Sequence, residues 1–295
     1  MKSVYNPFTF IIQMLGNEGN LKTLSCENIL GRELNDVEKK YAPQKLFVKG
    51  SIPLPIYKPR ISVVGTRKPS EVGINITKNL VRLLVKNGIA IFSGLARGID
   101  TVAHKTAIEE NGDTIAVLGT PINRYYPPEN KELQELMERR QLVISQFDMG
   151  HYTNKRDFLT RNRLMALLSD ITIIMEAGEV SGSISQGWET LRLGRKLYIC
   201  SPTFENESLE WPREMQKYGA NELDIGNFEL ILEETLTGVD LVRRGIIFKF
   251  IFLLKVVAMS LGTQKVSFLI IMLLGTGINT VSGLKKLSKS KPKFS

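Results

Sequence analysis

Between Ile61 and Cys200, six short apolar runs alternate with segments of helical spacing, and this limits the chain to few folds. The runs are Ile61–Val64, Ile89–Phe92, Thr114–Leu118, Leu142–Ser145, Ile171–Met175 and Lys196–Cys200. Each is continuously apolar, without the in-out alternation of a strand that has one wet face. Continuous runs joined by helices are the pattern of a parallel sheet buried on both sides. The helical segments are 72–86, with Ile76, Leu80, Leu83 and Leu84 on one face, then 99–110, 129–140, 161–168 and 183–193. Right-handed crossovers turn such a series into an α/β, doubly wound, mostly parallel sheet.

A sheet of this kind gathers its functional loops at the carboxyl ends of the strands. Here those loops are 65–70, 93–100, 119–128, 146–163 and 176–183. They carry Arg67, Lys68, Arg97, Arg124, Lys155, Arg156, Arg161 and Arg163, interleaved with Tyr125, Tyr126, Tyr152 and Phe158. Cations for phosphates and rings for bases are what a single-strand binder requires. The stretch Ser93–His104, SGLARGIDTVAH, is the most pointed of them. Gly94 and Gly98 can adopt positive φ and admit a ligand to the backbone. The amides that open the following helix favour an anion. The alternative is a plain strand-to-helix turn with Asp100 as its cap.

Charge narrows the partners. Residues 241–295 hold ten of the 39 Lys and Arg and no Asp or Glu, leaving 29 basic against 30 acidic residues in 1–240. Anion binding in the body of the chain therefore rests on a local patch, not on a global field. Cys26 and Cys200 are far apart and outside any CxxC spacing, which fits a reducing, cytoplasmic setting. The N-terminus, with Lys2 ahead of Phe8–Ile12, lacks the cleavage pattern of a signal peptide. The only histidines, His104 and His151, are not in metal-ligand spacing, no Walker pattern is present, and no cofactor is expected. Ser93, Asp100 and His104 do not make a hydrolase triad, since the last two share a helix face and no GxSxG elbow exists.

Seven segments resemble the DNA-processing protein A (DprA, or Smf) family, in the family's order: ISVVGTRKPSEVG (61–73), SGLARGIDTVAH (93–104), GDTIAVLG (112–119), YPPEN (126–130), FLTRNRLMALLSD (158–170), EAGEVSGS (176–183) and GRKLYI (194–199). The resemblance implies a homodimeric, non-enzymatic protein that binds single-stranded DNA without sequence preference. It also implies protection of incoming strands in natural transformation and their delivery to the recombinase RecA. By motif, Arg67 resembles the family's phosphate-binding arginine, with Lys68 beside it, and Ser93, Gly94, Arg97 and Gly98 its glycine-rich pocket. Lys155 and Phe158 lie where the family has a phosphate-contacting lysine and a ring between bases, Arg161 and Arg163 are the RNR arginines, and Ser181, Gly182 and Ser183 complete the pocket.

The resemblance implies a cap over 1–50, a Rossmann-like domain over 51–222 and a divergent tail over 223–295. In the cap, Lys45–Gly50 reads as a small edge strand. The family's winged-helix tail is not recognisable beyond 222, and the motif after SGS runs on as ISQGWETLRLGR. Residues 246–274 are apolar but broken by Lys249, Lys255, Gln264 and Lys265, and 282–295 carry five lysines. That tail reads either as a membrane-surface anchor or as translation out of frame from near residue 240. A rival within the same broad fold is a nucleotide phosphoribohydrolase, with Glu176 or Glu189 acting on a glycosidic bond. A nucleotide sensor without turnover would use the same pocket.

Overall fold

A computed structural model of the chain describes residues 21–224 together with Gly226, Phe228 and Ile231. The tail from 241 onward, with its membrane and reading-frame alternatives, lies outside the described residues, as do residues 1–20. In chain order come β1 (Lys22–Leu24), α1 (Cys26–Leu30), α2 (Asp36–Tyr41), β2 (Leu46–Gly50), β3 (Arg60–Val64), α3 (Glu71–Lys86), β4 (Ala90–Ser93), α4 (Ile99–Glu109) and β5 (Thr114–Leu118). A short 3-10 turn (Pro128–Asn130) leads into α5 (Lys131–Arg140), then β6 (Leu142–Ser145), α6 (Lys155–Leu168), β7 (Ile171–Ile174) and α7 (Gly182–Arg192). β8 (Lys196–Cys200), α8 (Ser201–Phe204), α9 (Trp211–Lys217) and β9 (Ala220–Leu223) follow.

The strands form one sheet in the order β1-β2-β6-β5-β4-β3-β7-β8-β9. From β6 to β9 every pairing is parallel. All residues of β3, β4, β5, β6 and β7 are buried, as their uninterrupted apolar character requires. One face of the sheet packs Ile61, Val63 and Ile91 against Leu80, Val81 and Leu84 of α3 and Ala103 and Ala107 of α4. The other packs Val64, Phe92 and Val117 against Leu164, Met165 and Leu168 of α6. Each fully buried leucine in these layers contributes roughly 2 kcal/mol.

The chain moves outward from β3 through β4 and β5 to β6, then returns to lay β7 on the other flank of β3. The reversal places a crevice between the carboxyl ends of β3 and β7, where doubly wound sheets bind ligands. The strand at Leu46–Gly50 is not an edge strand. It pairs antiparallel with both β6 and β1, so β1 takes the edge on that side. Helix α6 begins at Lys155, six residues before the start read from the sequence, because Asn154 caps it. Asn154 accepts from Arg156 N while Asp157 accepts from Asn154 N at 2.7 Å. This reciprocal cap satisfies amides that would otherwise oppose a helix there.

A second polar device ties the N-terminal elements to the sheet. Glu38 on α2 is only 2% exposed. It accepts from Arg32 at 2.7 and 2.6 Å, from Asn35 N at 3.0 Å and from Arg195, ahead of β8, at 2.6 Å. Burial pushes its carboxyl up, but the bonds from Arg32 and Asn35 and the charges of Arg32 and Arg195 outweigh it and hold the group down at about 2.

His104 on α4 is fully buried against β5. The Ser93 backbone and the Thr114 side chain face its ring. Its Nδ1 faces Thr114 Oγ1 at 2.7 Å, while the Thr114 hydroxyl donates to Ile91 O at 3.1 Å. A hydroxyl can donate to or accept from a neutral ring, so this contact needs no charge on the imidazole. Burial, helped by the charge of Arg161, pushes the ring down to about 3. Between that value and the ordinary 6.5, the unfolded chain takes up a proton that the folded chain refuses. Stability supplied by the neutral ring is thus present above pH 6.5 and lost as pH falls toward 3. In urea unfolding at pH 7 and pH 5, the native chain should lose about 2 kcal/mol more than His104→Gln over that interval. Equal losses would show that the ring titrates normally.

Candidate nucleic-acid interface

The loops that leave β3, β4 and β7 are stitched together by their backbones. Thr66 N donates to Glu176 O at 2.5 Å, and Ile99 N donates to Thr66 O at 3.1 Å. Gly98 has φ of 73°, and a Cβ there would strike Thr66 O and the Arg67 backbone. Glycine is needed at this position for both reasons.

The turn after β4 already holds an anion on its own amides, ahead of those that open α4. Asp100 is buried, and its Oδ2 accepts from Gly94 N at 3.1 Å and Ala96 N at 3.3 Å. Asp100 is not the cap of α4, since the N-cap is Gly98 and makes no side-chain bond there. At the start of α3 a second carboxylate does the same. Glu176 accepts from Ser70 N at 3.2 and 3.1 Å and from Ser70 Oγ at 3.0 Å. Both turns that a Rossmann-like sheet would offer to a phosphate thus face an internal carboxylate. Glu176 also borders a cavity of about 330 Å³ walled by Val72, Ile76, Met175, Cys200 and Leu209.

Arg161 lies inside the protein, not on the rim expected for it, with 6% of its surface exposed. Its Nη1 donates to Gly94 O at 2.5 Å and Val117 O at 2.8 Å, and its Nε to Asn162 Oδ1 at 3.0 Å. A Cβ on Gly94 would occupy the position of Nη1, so this glycine exists to admit the guanidinium. Burial pushes Asp100 up, opposed by the charge of Arg161 and the amides of Ala96 and Gly94. Burial pushes Arg161 down, opposed by Asp100 and reinforced by the nearby charge of Arg67.

The remaining expected residues divide by exposure. Arg67, Lys68, Arg97 and Lys155 are exposed, as are Arg124 and Arg156. Arg97 pairs with Glu129, itself exposed. Arg124 Nη1 reaches Thr153 Oγ1 at 3.5 Å. Arg163 is half-buried, paired with Glu189 at 3.0 and 3.1 Å and lying over the Tyr41 ring at 5.1 Å. Hydrogen bonding to Glu189 pulls its guanidinium up. Ser93 is buried, and its hydroxyl donates to Val63 O at 2.7 Å. With that proton committed, Ser93 has none to pass to His104. Ser181 caps α7 and accepts from Ser183 N at 3.3 Å; Ser183 is buried and Gly182 exposed. Phe158 is half-buried over Gly119, where a Cβ would sit 2.5 Å from the ring. Its other neighbour is Tyr126, at 5.2 Å between ring centroids and a 50° tilt.

Sequence reasoning did not single out Ser70, Glu176 as a helix-start anion, or Asn154 and Asp157. The last two carried a legible signal, an Asn three residues before an Asp at a helix start. Glu189 was a candidate base of the rival hydrolase, and it is neutralised by Arg163 and by Arg192 at 2.9 Å. Among the described residues, no three His, Cys, Asp or Glu side chains are grouped to hold a metal ion.

A family model described as DNA recombination-mediator protein A matches residues 25–235. Protein Smf of Synechocystis sp. is 41% identical over 126 residues, which are 43% of this chain and 32% of that protein. DNA processing protein DprA of Streptococcus pneumoniae is 38% identical over 157 residues, 53% of this chain and 55% of that one. The chain thus spans about a third to just over half the length of these curated relatives. The solved structure of DNA processing protein A from Helicobacter pylori, described for its single-stranded DNA binding mode, superposes with a TM-score of 0.60 at 28% identity. It covers 73% of this chain and 97% of that one.

The Gly94 contact gives a test of the interior of this site. Gly94→Ala should displace the Arg161 guanidinium and lower stability by about 3 kcal/mol in urea unfolding, through overpacking and a charge deprived of its acceptors. Gly182→Ala, with open space around the added methyl, should change it by less than about 0.5 kcal/mol.

Proposed function

Because this chain belongs to the DNA recombination-mediator protein A family, we propose that it binds single-stranded DNA without regard to sequence, along the carboxyl-end rim of its sheet. One observation carries the reading. The turn after β4 holds Asp100 on its Gly94 and Ala96 amides and the start of α3 holds Glu176 on Ser70, while the cations beside them are exposed. Phosphates must then be met by side chains, and Arg67, Lys68, Arg97 and Lys155 are those exposed to meet them. Phe158 supplies the ring for a base. Ser93, Gly94, Gly98 and Arg161 shape the rim from beneath, and Ser181, Gly182 and Ser183 close it on the β7 side. Arg163 joins them by holding α6 to α7 through Glu189.

The protein acts by binding, not by catalysis. In the cytoplasm it shields a strand and hands it to RecA as a homodimer, in transformation or recombination. Two buried, unbridged thiols, pushed up to about 12 chiefly by burial, suit a reducing compartment. The cavity beside Glu176 is the observation that favours the rival reading, a nucleotide hydrolase or sensor. Its carboxylate wall repels a phosphate, and Glu189 is bound by two arginines, so strand binding is preferred.

Fluorescence anisotropy with a short labelled single strand, and with duplex and free nucleotide as competitors, tests the choice. Binding should prefer single strands and weaken as salt rises. Arg67→Ala should bind every sequence more weakly and shallow the salt dependence by about 0.7 in log–log slope for one lost phosphate contact. An unchanged slope, or displacement of the strand by mononucleotide, would overturn the assignment.

A further inference from the structure

We infer that Tyr126 is a base-stacking platform backed by Phe158; the inference rests on the strand-binding reading above. The rims of the β5 and β6 loops hold several rings; Tyr152 is the most open at 83% but has no ring behind it among the described residues, and most of the others have their faces covered. Tyr125 lies under Lys131 Nζ at 5.3 Å. Phe147 is stacked on His151 at 4.8 Å and 19°. Phe158 rests on the Gly119 backbone and is half-buried. Tyr126 touches Phe158 at a tilt, and 46% of its surface stays open to solvent.

The spacing decides how a strand can use the two rings. Centroids 5.2 Å apart are in direct aromatic contact, so no base fits between them. A base arriving from solvent meets the open side of Tyr126, backed by Phe158 and then by Gly119. Such a backed ring loses little freedom when a base settles on it, which favours stacking over a freely turning side chain. Arg124, two residues earlier, reaches toward Thr153 in the loop that leads into Lys155, at 3.5 Å. The path of the strand then includes residues 124–126 of the β5 loop, not only the start of α6.

The test uses the full chain and a single strand carrying one photoactivatable 5-iodouracil. Cross-linking followed by peptide mass analysis should find Tyr126 joined to the base. Tyr126→Ala should weaken strand binding about tenfold at every salt concentration, with the log–log salt slope unchanged, because stacking releases no counterions. Tyr126→Phe should restore affinity. If the native chain binds the strand and Tyr126→Ala binds it equally well, the inference fails and the strand-binding reading stands. A salt slope that falls as in Arg67→Ala also overturns the inference, since the ring would then be supporting the cations. If the native chain binds no strand, both fail. Should Tyr126→Ala not fold, a cross-link in the native chain decides alone, its absence at Tyr126 counting against the platform.

Discussion

A guanidinium in the interior sets the shape of this molecule's working edge. Arg161 reaches from α6 across the ends of β4 and β5 and donates to Gly94 O and Val117 O. Its charge faces Asp100, which holds the turn after β4 by two amides. Burying an unpaired arginine would cost several kcal/mol, and so would burying an unpaired aspartate. Each is tolerable because the other is there, with backbone groups filling the remaining bonds. The position of α6, and with it Lys155 and Phe158 on its first turn, follows from this coupled pair. The turn at 94–98 and the cation-bearing end of α6 are therefore one unit.

The same arrangement changes what a Rossmann-like sheet does at its crevice. The fold offers turn and helix-start amides to phosphates, and here Asp100 occupies the turn after β4 and Glu176 the start of α3. Fold and function separate at this point: the scaffold is that of nucleotide binders, while the accessible chemistry lies on the surrounding side chains. The pairing of Glu189 with two arginines points the same way, since both its oxygens are already engaged.

The sheet was legible because its strands are short, apolar and separated by helices; Thr114–Leu118, Leu142–Ser145 and Lys196–Cys200 fall where the pattern puts them. β2 was misplaced as an edge because antiparallel pairing with the three-residue β1 leaves no trace in a five-residue run. The outward cations Arg67, Lys68, Arg97 and Lys155 could be named from their loops. Arg161 could not be placed while α6 was taken to start there. Once the helix begins at Lys155, Leu164, Met165 and Leu168 stand three, four and seven residues beyond Arg161, all buried. The stripe they form carries Arg161 inward with it. The roles of Asp100 and Glu176 were hidden for another reason: a carboxylate near a helix start reads the same whether it caps its own helix or serves a turn elsewhere.

The exposed cations come from loops after several different strands, so no single loop holds a complete pocket. In the proposed role, a lone nucleotide can engage one or two of them, whereas a strand engages many together. Each contact raises the local concentration of the next nucleotide at the next loop, so the grip grows with chain length. Such a surface tells polymer from monomer by counting, and a large pool of free nucleotides would compete with it only weakly.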